Sequence, residues 1–219
     1  MDQEDKEVKF SKKILVIGEA GVGKSAIIQK YVNNFYPEMY KQSLGCNFFS
    51  KQLELSKTAS VTLSIWDCSS ESLKSKMLNT YIYGSDAVLF VYDITNKSSF
   101  DSIQSSILNL VQSVLIENNE VEYCVLGNKN DLFNQIAVEE NQAKEMCKTH
   151  NLPYYSVSAK MGSNLNECFK NTAYKICKLP YSSEEKKNDK SLEGSIPDLR
   201  SEVKGSNGDN KTSRGCNIF

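Results

Sequence analysis

The sequence has little that could build a metal site from cysteine and histidine. It contains a single histidine, His150, and its seven cysteines include no CxxC pair. A structural zinc site needs clustered Cys and His ligands, so the sequence excludes the common zinc-binding modules. Most of the cysteines are expected to be small buried hydrophobic residues.

The sequence also lacks a charge excess and long apolar runs. It has 26 basic and 27 acidic residues, which excludes binding to nucleic acid through a generally basic surface. No run approaches the roughly 18 apolar residues of a membrane span. The first residues are charged, without the apolar core of a secretory signal, and Asp2 stands where myristoylation requires glycine. We therefore expect a protein of the reducing cytosol.

The composition predicts one domain between two polar ends. Residues 1–9 form a charged lead-in, and residues 10–180 carry alternating strand and helix signals. Residues 181–219 are rich in Ser, Lys, Glu, Asn, Asp and Gly. Such a segment buries too little apolar surface to offset the entropy of ordering it, so we predict a disordered tail.

Within the central domain, strand patterns alternate with helix patterns. The predicted strands are Ile14–Ile17, Asn47–Leu55, Val61–Asp67, Ala87–Tyr92, Val121–Gly127 and Pro153–Ser158. The predicted helices are Lys24–Val32, Phe100–Val114, Val138–His150 and Leu165–Leu179. This order predicts an α/β fold with a six-stranded, mostly parallel sheet, one antiparallel hairpin strand and helices on both faces. Ligands of such sheets bind beyond the carboxyl ends of the strands.

A glycine-rich loop follows the first predicted strand. Gly18–Ser25 matches GxxxxGK[ST] between a strand and a helix, which is the context of a phosphate-binding loop. In such a loop Lys24 reaches the β- and γ-phosphates, the Ser25 hydroxyl binds Mg²⁺, and backbone N–H groups surround the phosphates. The alternative is a glycine-rich turn with a chance lysine. The residues expected to contact the nucleotide are Gly21, Val22, Gly23, Lys24, Ser25 and Ala26.

Polar motifs at three further strand ends complete a predicted nucleotide site. Asp67 ends the third strand, where phosphate-loop proteins place the carboxylate that holds the metal. Asp131, in an Asn128–Asp131 NKxD motif, can accept hydrogen bonds from two guanine N–H groups. The Lys129 stem can cover the base, and the Ala159 N–H, in Ser158–Lys160, can reach the guanine oxygen. Each motif alone could be an ordinary polar loop, but together they favour guanine and argue against a phosphate-loop kinase or ATPase.

The chain resembles the Ras superfamily of small GTPases, and within it the Rabs, over about residues 10–178. The Rab resemblance lies in four further segments, namely Tyr40–Phe48, Leu63–Asp67, Tyr81–Ser85 and Leu89–Asn96. The segments Lys76–Gly84 and Asn47–Phe49 are most similar to the cilium-associated Rab that ends in a CaaX box. The resemblance implies a phosphate-loop small GTPase domain that binds GTP or GDP with Mg²⁺ and regulates vesicle traffic.

The resemblance also implies roles for individual residues. Tyr36 would pack beside the guanine, and Tyr40 would cover the phosphates. Ser43 stands where the family usually has a threonine that binds Mg²⁺ and contacts the γ-phosphate, so the implied metal ligands are Ser25, Ser43 and Asp67. Phe48, Trp66 and Tyr81 match the aromatic triad that Rabs present to effectors, although strand packing alone could explain Phe48 and Trp66.

The second switch departs from the family pattern. Rabs typically read Asp-Thr-Ala-Gly-Gln-Glu, whereas this chain has Cys68, Ser69, Ser70, Glu71 and Ser72 after the aspartate. Ser70 replaces the glycine whose N–H meets the γ-phosphate, and Glu71 replaces the glutamine that orients water. We therefore expect slow hydrolysis, with Glu71, Lys24 and Ser43 as the implied catalytic residues. The alternative is a non-switching, GTP-bound scaffold that recruits effectors without useful catalysis.

The chain ends in Cys216-Asn-Ile-Phe219, which fits a CaaX prenylation motif. The terminal phenylalanine indicates geranylgeranyl, with farnesyl left open. The resemblance then implies a prenyltransferase, a soluble lipid-binding carrier, effectors, an exchange factor and a GTPase activator as partners. We expect a monomer on the cytoplasmic face of intracellular membranes, exchanging with the cytosol, with a cilium as one location.

Overall fold

The computed structural model describes residues 7–39, 41–114 and 120–180. Tyr40, most of the expected lead-in, and the expected tail with Cys216 lie outside the described residues. The first strand begins at Val8, so the last two residues of the expected lead-in belong to the sheet.

A six-stranded sheet forms the centre of the domain. Its strands are β1 Val8–Ile17, β2 Cys46–Ser56, β3 Ala59–Cys68, β4 Ala87–Asp93, β5 Glu122–Asn128 and β6 Tyr154–Ser156. The order is β2-β3-β1-β4-β5-β6, with β2 antiparallel to β3 and every other pair parallel. The predicted fold class is therefore confirmed. β6 is shorter than predicted, because only three of its residues pair with β5.

Helices cover both faces of the sheet. They are α1 Lys24–Asn33, α2 Leu78–Ile82, α3 Lys97–Ser102, α4 Leu108–Val114, α5 Glu140–Thr149 and α6 Leu165–Ile176. The single helix predicted over Phe100–Val114 is interrupted by a π-helical turn at Ile103–Ile107. The short α2 and a 3₁₀ turn at Ser70–Lys74 were not predicted.

The core consists of two apolar layers, one on each side of the sheet. Ile27 and Ile28 of α1 pack with Phe169 of α6 on one face. Helices α2–α5 cover the other face, with Phe100 and Val111 among the residues that pack there. Every residue of β4 is buried, as its continuous apolar sequence predicts. Among the described residues, no helix is long and apolar enough to span a membrane.

Candidate nucleotide-binding site

Two adjoining cavities lie beyond the carboxyl ends of the parallel strands. The larger, about 350 Å³, is lined by the loop between β1 and α1, by residues 36–39 and 41–43, and by Ser69 and Ser70. The smaller, about 170 Å³, is lined by residues that follow β5 and β6. Gly23, Ala26, Tyr36 and Lys129 line both cavities. The two cavities meet near β1, where the strand order changes direction. That point is the usual ligand site of such sheets.

The loop between β1 and α1 needs glycine for close approach to the rest of the domain. Gly23 has a φ of 96°, and a Cβ there would lie 2.3 Å from the side-chain nitrogen of Asn128. A Cβ at Gly18 would lie 2.1 Å from the carbonyl oxygen of Val91. Helix α1 begins directly afterwards at Lys24. The loop thus presents the N-terminus of α1 to the larger cavity, in a position suited to an anion.

Lys24 lies inside this loop and is only 7 % exposed. Its ammonium donates to the carbonyl oxygens of Gly18 (2.9 Å) and Glu19 (2.8 Å). Burial lowers the pKa of Lys24, while Asp67 and Glu19 oppose that shift. The ammonium has no contacting carboxylate in these bonds, so a bound phosphate would give it an anionic partner.

Three oxygen-bearing side chains meet at the floor of the larger cavity. The Ser25 hydroxyl donates to Asp67 Oδ2 at 2.6 Å, and the Ser25 and Ser43 hydroxyls lie 2.8 Å apart. Asp67 is fully buried, and its Oδ1 has no hydrogen-bond partner among the described residues. Burial raises the pKa of Asp67, against the opposing effects of Ser25 and Lys24.

This cluster fits Mg²⁺. The ion prefers oxygen ligands and is usually held by one or two carboxylates, phosphates and waters. The buried, unsatisfied Oδ1 is the kind of atom that a nearby cation stabilises. The structure therefore brings together all three residues that the sequence implied as metal ligands.

Asn128 connects the smaller cavity to the phosphate loop. Its Nδ2 donates to the carbonyl oxygen of Val22 at 2.8 Å, and its Oδ1 accepts from the Ala159 N–H at 3.0 Å. The predicted role for the Ala159 N–H was a bond to the guanine oxygen, whereas here it is bonded to Asn128. Lys160 also lines this cavity.

Asp131 faces the same cavity and is held by Ser158. The Ser158 hydroxyl donates to Asp131 Oδ1 at 2.5 Å and accepts from the Met161 N–H at 3.0 Å. One oxygen of the carboxylate is thus positioned by the protein, so the group keeps acceptor capacity for a ligand. This geometry suits two neighbouring donors such as those of guanine.

Lys129 is fixed between the two cavities by an ion pair. It has a φ of 69°, and its Nζ lies 2.6 Å from Asp93 Oδ2. Lys129 and Tyr36 therefore both lie where the two cavities adjoin. Asp93 was not singled out from the sequence, although its place at the end of β4 was a signal.

Glu71 does not line either of the two cavities described above. Its Oε1 accepts from Gln42 Nε2 at 3.0 Å in an exposed contact. Ser70, by contrast, does line the larger cavity. The structure therefore brings Ser70 to the site and leaves Glu71 at its edge.

A second contact joins the same two segments through Gly45. Its carbonyl oxygen accepts from the Ser69 N–H (2.9 Å) and from the Ser72 hydroxyl (3.0 Å). Neither Gly45 nor Gln42 was singled out from the sequence, because a glycine and a glutamine in a loop give no local signal of a contact with residues 69–72.

The three aromatic residues implied in partner binding lie side by side. The Phe48 and Trp66 rings are 4.5 Å apart in a T-shaped arrangement, and Trp66 and Tyr81 are 6.5 Å apart. Phe48 is 63 % exposed, which ordinary strand packing does not explain. Lys13, missed in the sequence, places its Nζ 3.7 Å above the Trp66 ring.

Comparisons with known proteins agree with this geometry. The Ras family model matches residues 13–178. The Rab-7a protein of Paramecium octaurelia is 34% identical over 163 residues, which cover 74% of this chain and 79% of that protein. The Rab-1 protein of Theileria parva is 34% identical over 164 residues, covering 75% of this chain and 73% of that protein. Rab-1D of Dictyostelium discoideum is 31% identical, covering 74% and 78%. The chain therefore belongs to the Ras family of small GTPases and, within it, to the Rabs.

Proposed function

We propose that this protein binds GTP and GDP with Mg²⁺ through the residues described above, hydrolyses GTP slowly, and regulates intracellular membrane traffic. The observation that carries the proposal is the Ser25–Ser43–Asp67 oxygen cluster, with its unsatisfied carboxylate oxygen, beside the buried Lys24 ammonium. This arrangement places the Lys24 ammonium and the two serine hydroxyls, as donors, beside the Asp67 carboxylate, as acceptor, at one end of a cleft. The Asp131 carboxylate stands at the other end.

Each residue would have a defined task in nucleotide binding. Lys24 would exchange its carbonyl partners for phosphate oxygens, and Ser25, Ser43 and Asp67 would hold the metal and its waters. When bound, Mg²⁺ would supply the positive charge that offsets negative charge developing on the phosphates. Asp131 would accept from the guanine N–H groups, while Lys129 and Tyr36 would enclose the base.

Slow hydrolysis follows from the chemistry of Glu71. A glutamine can accept a hydrogen bond from the attacking water and donate one toward the phosphoryl group, but an ionised glutamate cannot donate. Two like unit charges about 4 Å apart repel by roughly 4 kcal/mol at an effective dielectric of about 20. The contact with Gln42 also holds Glu71 at the edge of the cleft. Intrinsic hydrolysis in Ras is already only about 10⁻⁴ s⁻¹.

A non-switching scaffold is the second candidate function. The hydrogen bonds of Ser69 and Ser72 to Gly45 join the first switch, the loop before β2, to the second switch, residues 68–72, which favours a fixed arrangement of the two segments. In that case the protein would present one surface to its partners throughout. Single-turnover hydrolysis discriminates the two functions, since a scaffold would hold GTP indefinitely, whereas slow hydrolysis converts it to GDP.

Attachment and partners extend the proposal to the ends of the chain. Prenylation of Cys216, by a prenyltransferase and with a soluble lipid-binding carrier, would place the domain on the cytoplasmic face of intracellular membranes. Phe48, Trp66 and Tyr81 would contact effectors, and an exchange factor and a GTPase activator would act at the switches. The relatives above are Rab-7 and Rab-1 proteins, which do not support a ciliary location, so that location stays a prediction from the resemblance alone.

The test is nucleotide content and turnover of the purified full chain. We expect guanine nucleotide, mostly GTP, in the denatured supernatant, and single-turnover hydrolysis at or below the Ras intrinsic rate of about 10⁻⁴ s⁻¹. A double variant, Ser70→Gly with Glu71→Gln, serves as the matched control and should hydrolyse GTP faster. Equal affinity for ATP and GTP would refute the guanine assignment, and rapid wild-type turnover would refute slow hydrolysis.

A further inference from the structure

Two cysteines face each other where the β2–β3 hairpin meets the nucleotide cleft. Cys46 begins β2 and Cys68 ends β3, and the two are partners in the antiparallel register. Their Sγ atoms lie 2.9 Å apart. Facing residues of an antiparallel pair have Cα atoms about 4.5–5.5 Å apart, within the roughly 4.4–6.8 Å that disulfides span. The backbone therefore already provides the spacing for a bond between these sulfur atoms.

We propose that Cys46 and Cys68 form a reversible disulfide on exposure to a peroxide, and that this bond restrains the two switch segments. Formation of the bond does not depend on the proposed GTPase activity, because it involves only the hairpin.

Exposure distinguishes the two thiols and sets them apart from the other cysteines. Cys46 is half-buried, whereas Cys68 is buried. The remaining described cysteines, Cys124, Cys147, Cys168 and Cys177, are all buried. Among the described residues, a small oxidant in solvent therefore reaches Cys46 first, and Cys68 is the nearest thiol to what forms there.

The chemistry balances with a peroxide as the oxidant. The Cys46 thiolate attacks one peroxide oxygen, the O–O bond breaks, and a sulfenic acid forms while the second oxygen leaves as water after taking a proton. The Cys68 sulfur then attacks the Cys46 sulfur, the S–O bond breaks, and a second water leaves. Two thiols lose two electrons and two protons in all, and the peroxide is reduced to two waters. A dithiol reverses the step by thiol–disulfide exchange.

The position of the pair explains why the bond would matter. Ser43, a member of the Ser25–Ser43–Asp67 oxygen cluster, lies shortly before Cys46. Ser69 of the second switch directly follows Cys68. Between them, Gly45 has a φ of 67° and accepts hydrogen bonds from Ser69 and Ser72. These hydrogen bonds can open separately, whereas a covalent bond beside them cannot. Opening of the cleft at the end that holds the oxygen cluster would therefore be slower in the oxidised protein.

The test uses the full chain with Cys216→Ser, which removes the tail thiol, loaded with GDP and treated with hydrogen peroxide. We expect non-reducing peptide mapping to show a Cys46–Cys68 cross-link, with loss of two hydrogen atoms and full reversal by dithiothreitol. Cys46→Ser and Cys68→Ser should each abolish the cross-link, and Cys177→Ser, the matched control, should keep it. If one variant does not fold, the other and the wild-type map still decide.

Other results would overturn the proposal. They are a sulfinic acid at Cys46 without a cross-link, a cross-link to a different cysteine, or no change in either thiol. Release of a fluorescent GDP analogue is the second readout, and we expect it to be severalfold slower in the oxidised protein and unchanged in oxidised Cys46→Ser. A disulfide that leaves the release rate unaltered would refute the restraint. Failure of the protein to bind GDP would be seen before oxidation, and would count against the proposed function instead.

Discussion

Asn128 ties the base-binding cavity to the phosphate loop through its 2.8 Å hydrogen bond to the carbonyl oxygen of Val22. The same side chain accepts from the Ala159 N–H, so one buried amide at the end of β5 joins two separate loops. The two halves of the nucleotide site are therefore fixed relative to each other before any ligand binds.

We predict that Asn128→Ala destabilises the protein and weakens nucleotide binding together. A net hydrogen bond contributes about 0.5–1.5 kcal/mol, and an unsatisfied buried partner costs about 1–3 kcal/mol. Loss of both bonds should therefore lower the free energy of unfolding by roughly 2–4 kcal/mol. Urea denaturation measures this, with Asn130→Ala for comparison, which removes the part-buried bonds to Ser156 and Ser163 and keeps those to Val22 and Ala159. Equal stability of the Asn128 variant and the wild type would contradict the bridging role.

Guanine specificity should depend on the Asp131 carboxylate. Asp131→Asn replaces one acceptor oxygen by a donor, which would face the donors of guanine. Hydrogen bonds to charged groups contribute about 1.5–3 kcal/mol, so GTP affinity should fall by about one to two decades for each bond lost. Calorimetric titration with GTP and with xanthosine triphosphate checks it. The variant should regain affinity for xanthine, whose oxygen replaces the guanine amine, and no such gain would count against the assignment.

Asp67→Asn should separate protein stability from metal binding. Because burial raises the pKa of Asp67, its ionised form costs stability above the folded-state pKa, and that cost is relieved as the pH falls through it. The neutral amide removes this cost, so we expect the nucleotide-free variant to be at least as stable as the wild type at neutral pH.

With Mg²⁺ and GDP bound, the wild type should be more stable than Asp67→Asn. A ligand at 100 times its Kd adds about 2.7 kcal/mol to the wild type, and the variant should gain much less. Thermal unfolding with and without Mg²⁺ measures both effects. Equal stabilisation of the two proteins by Mg²⁺ and GDP would show that Asp67 does not hold the metal.

The contact between Gln42 and Glu71 gives a prediction about hydrolysis. We expect Gln42→Ala to leave the slow rate unchanged, because freeing Glu71 does not give it a proton to donate. Glu71→Gln should raise the rate, with the neighbouring Gln42 intact. Single-turnover phosphate release from both variants checks it. A faster rate in Gln42→Ala would mean that the placement of Glu71 by Gln42 limits hydrolysis, rather than the inability of its carboxylate to donate a hydrogen bond.

Membrane attachment should depend on one lipid. Residues 181–219 contain seven basic and seven acidic residues, and Cys216 is the only cysteine among them. One prenyl chain without a basic cluster or second acyl group binds membranes reversibly. We expect the wild type to divide between membrane and cytosol, and Cys216→Ser to be cytosolic. Cell fractionation of both forms measures this, and membrane association that survives the substitution would indicate recruitment by the folded domain.

Local sequence was sufficient to predict the strands and the loops that follow them. Ala87–Tyr92 is a continuous apolar run, and the structure buries all of β4. The motif Gly18–Ser25 is contiguous, so its position before a helix could be read directly.

Contacts between distant segments could not be predicted in this way. The bond between Gln42 and Glu71 joins residues on separate loops, and neither has an apolar pattern that marks the contact. The π-helical turn at Ile103–Ile107 has the same apolar spacing as an ordinary helix, so periodicity could not reveal it. The proximity of Cys46 and Cys68 depends on the register of the hairpin. The alternation of apolar and polar residues excludes a shift by one residue but is compatible with a shift by two, so it does not fix which residues face each other.

Lys13 connects the strand that leads into the phosphate loop to the aromatic surface proposed to bind partners. Its backbone lies in β1, the strand that leads into the phosphate loop, and its ammonium covers Trp66 and donates to the carbonyl oxygens of Tyr81 and Tyr83. Trp66 itself lies in β3, hydrogen-bonded alongside β1. The centre of the aromatic triad is thus positioned by the sheet rather than by the loops of the nucleotide site. A partner that binds this surface and discriminates GTP from GDP would then have to contact its margins, next to the loops of the nucleotide site.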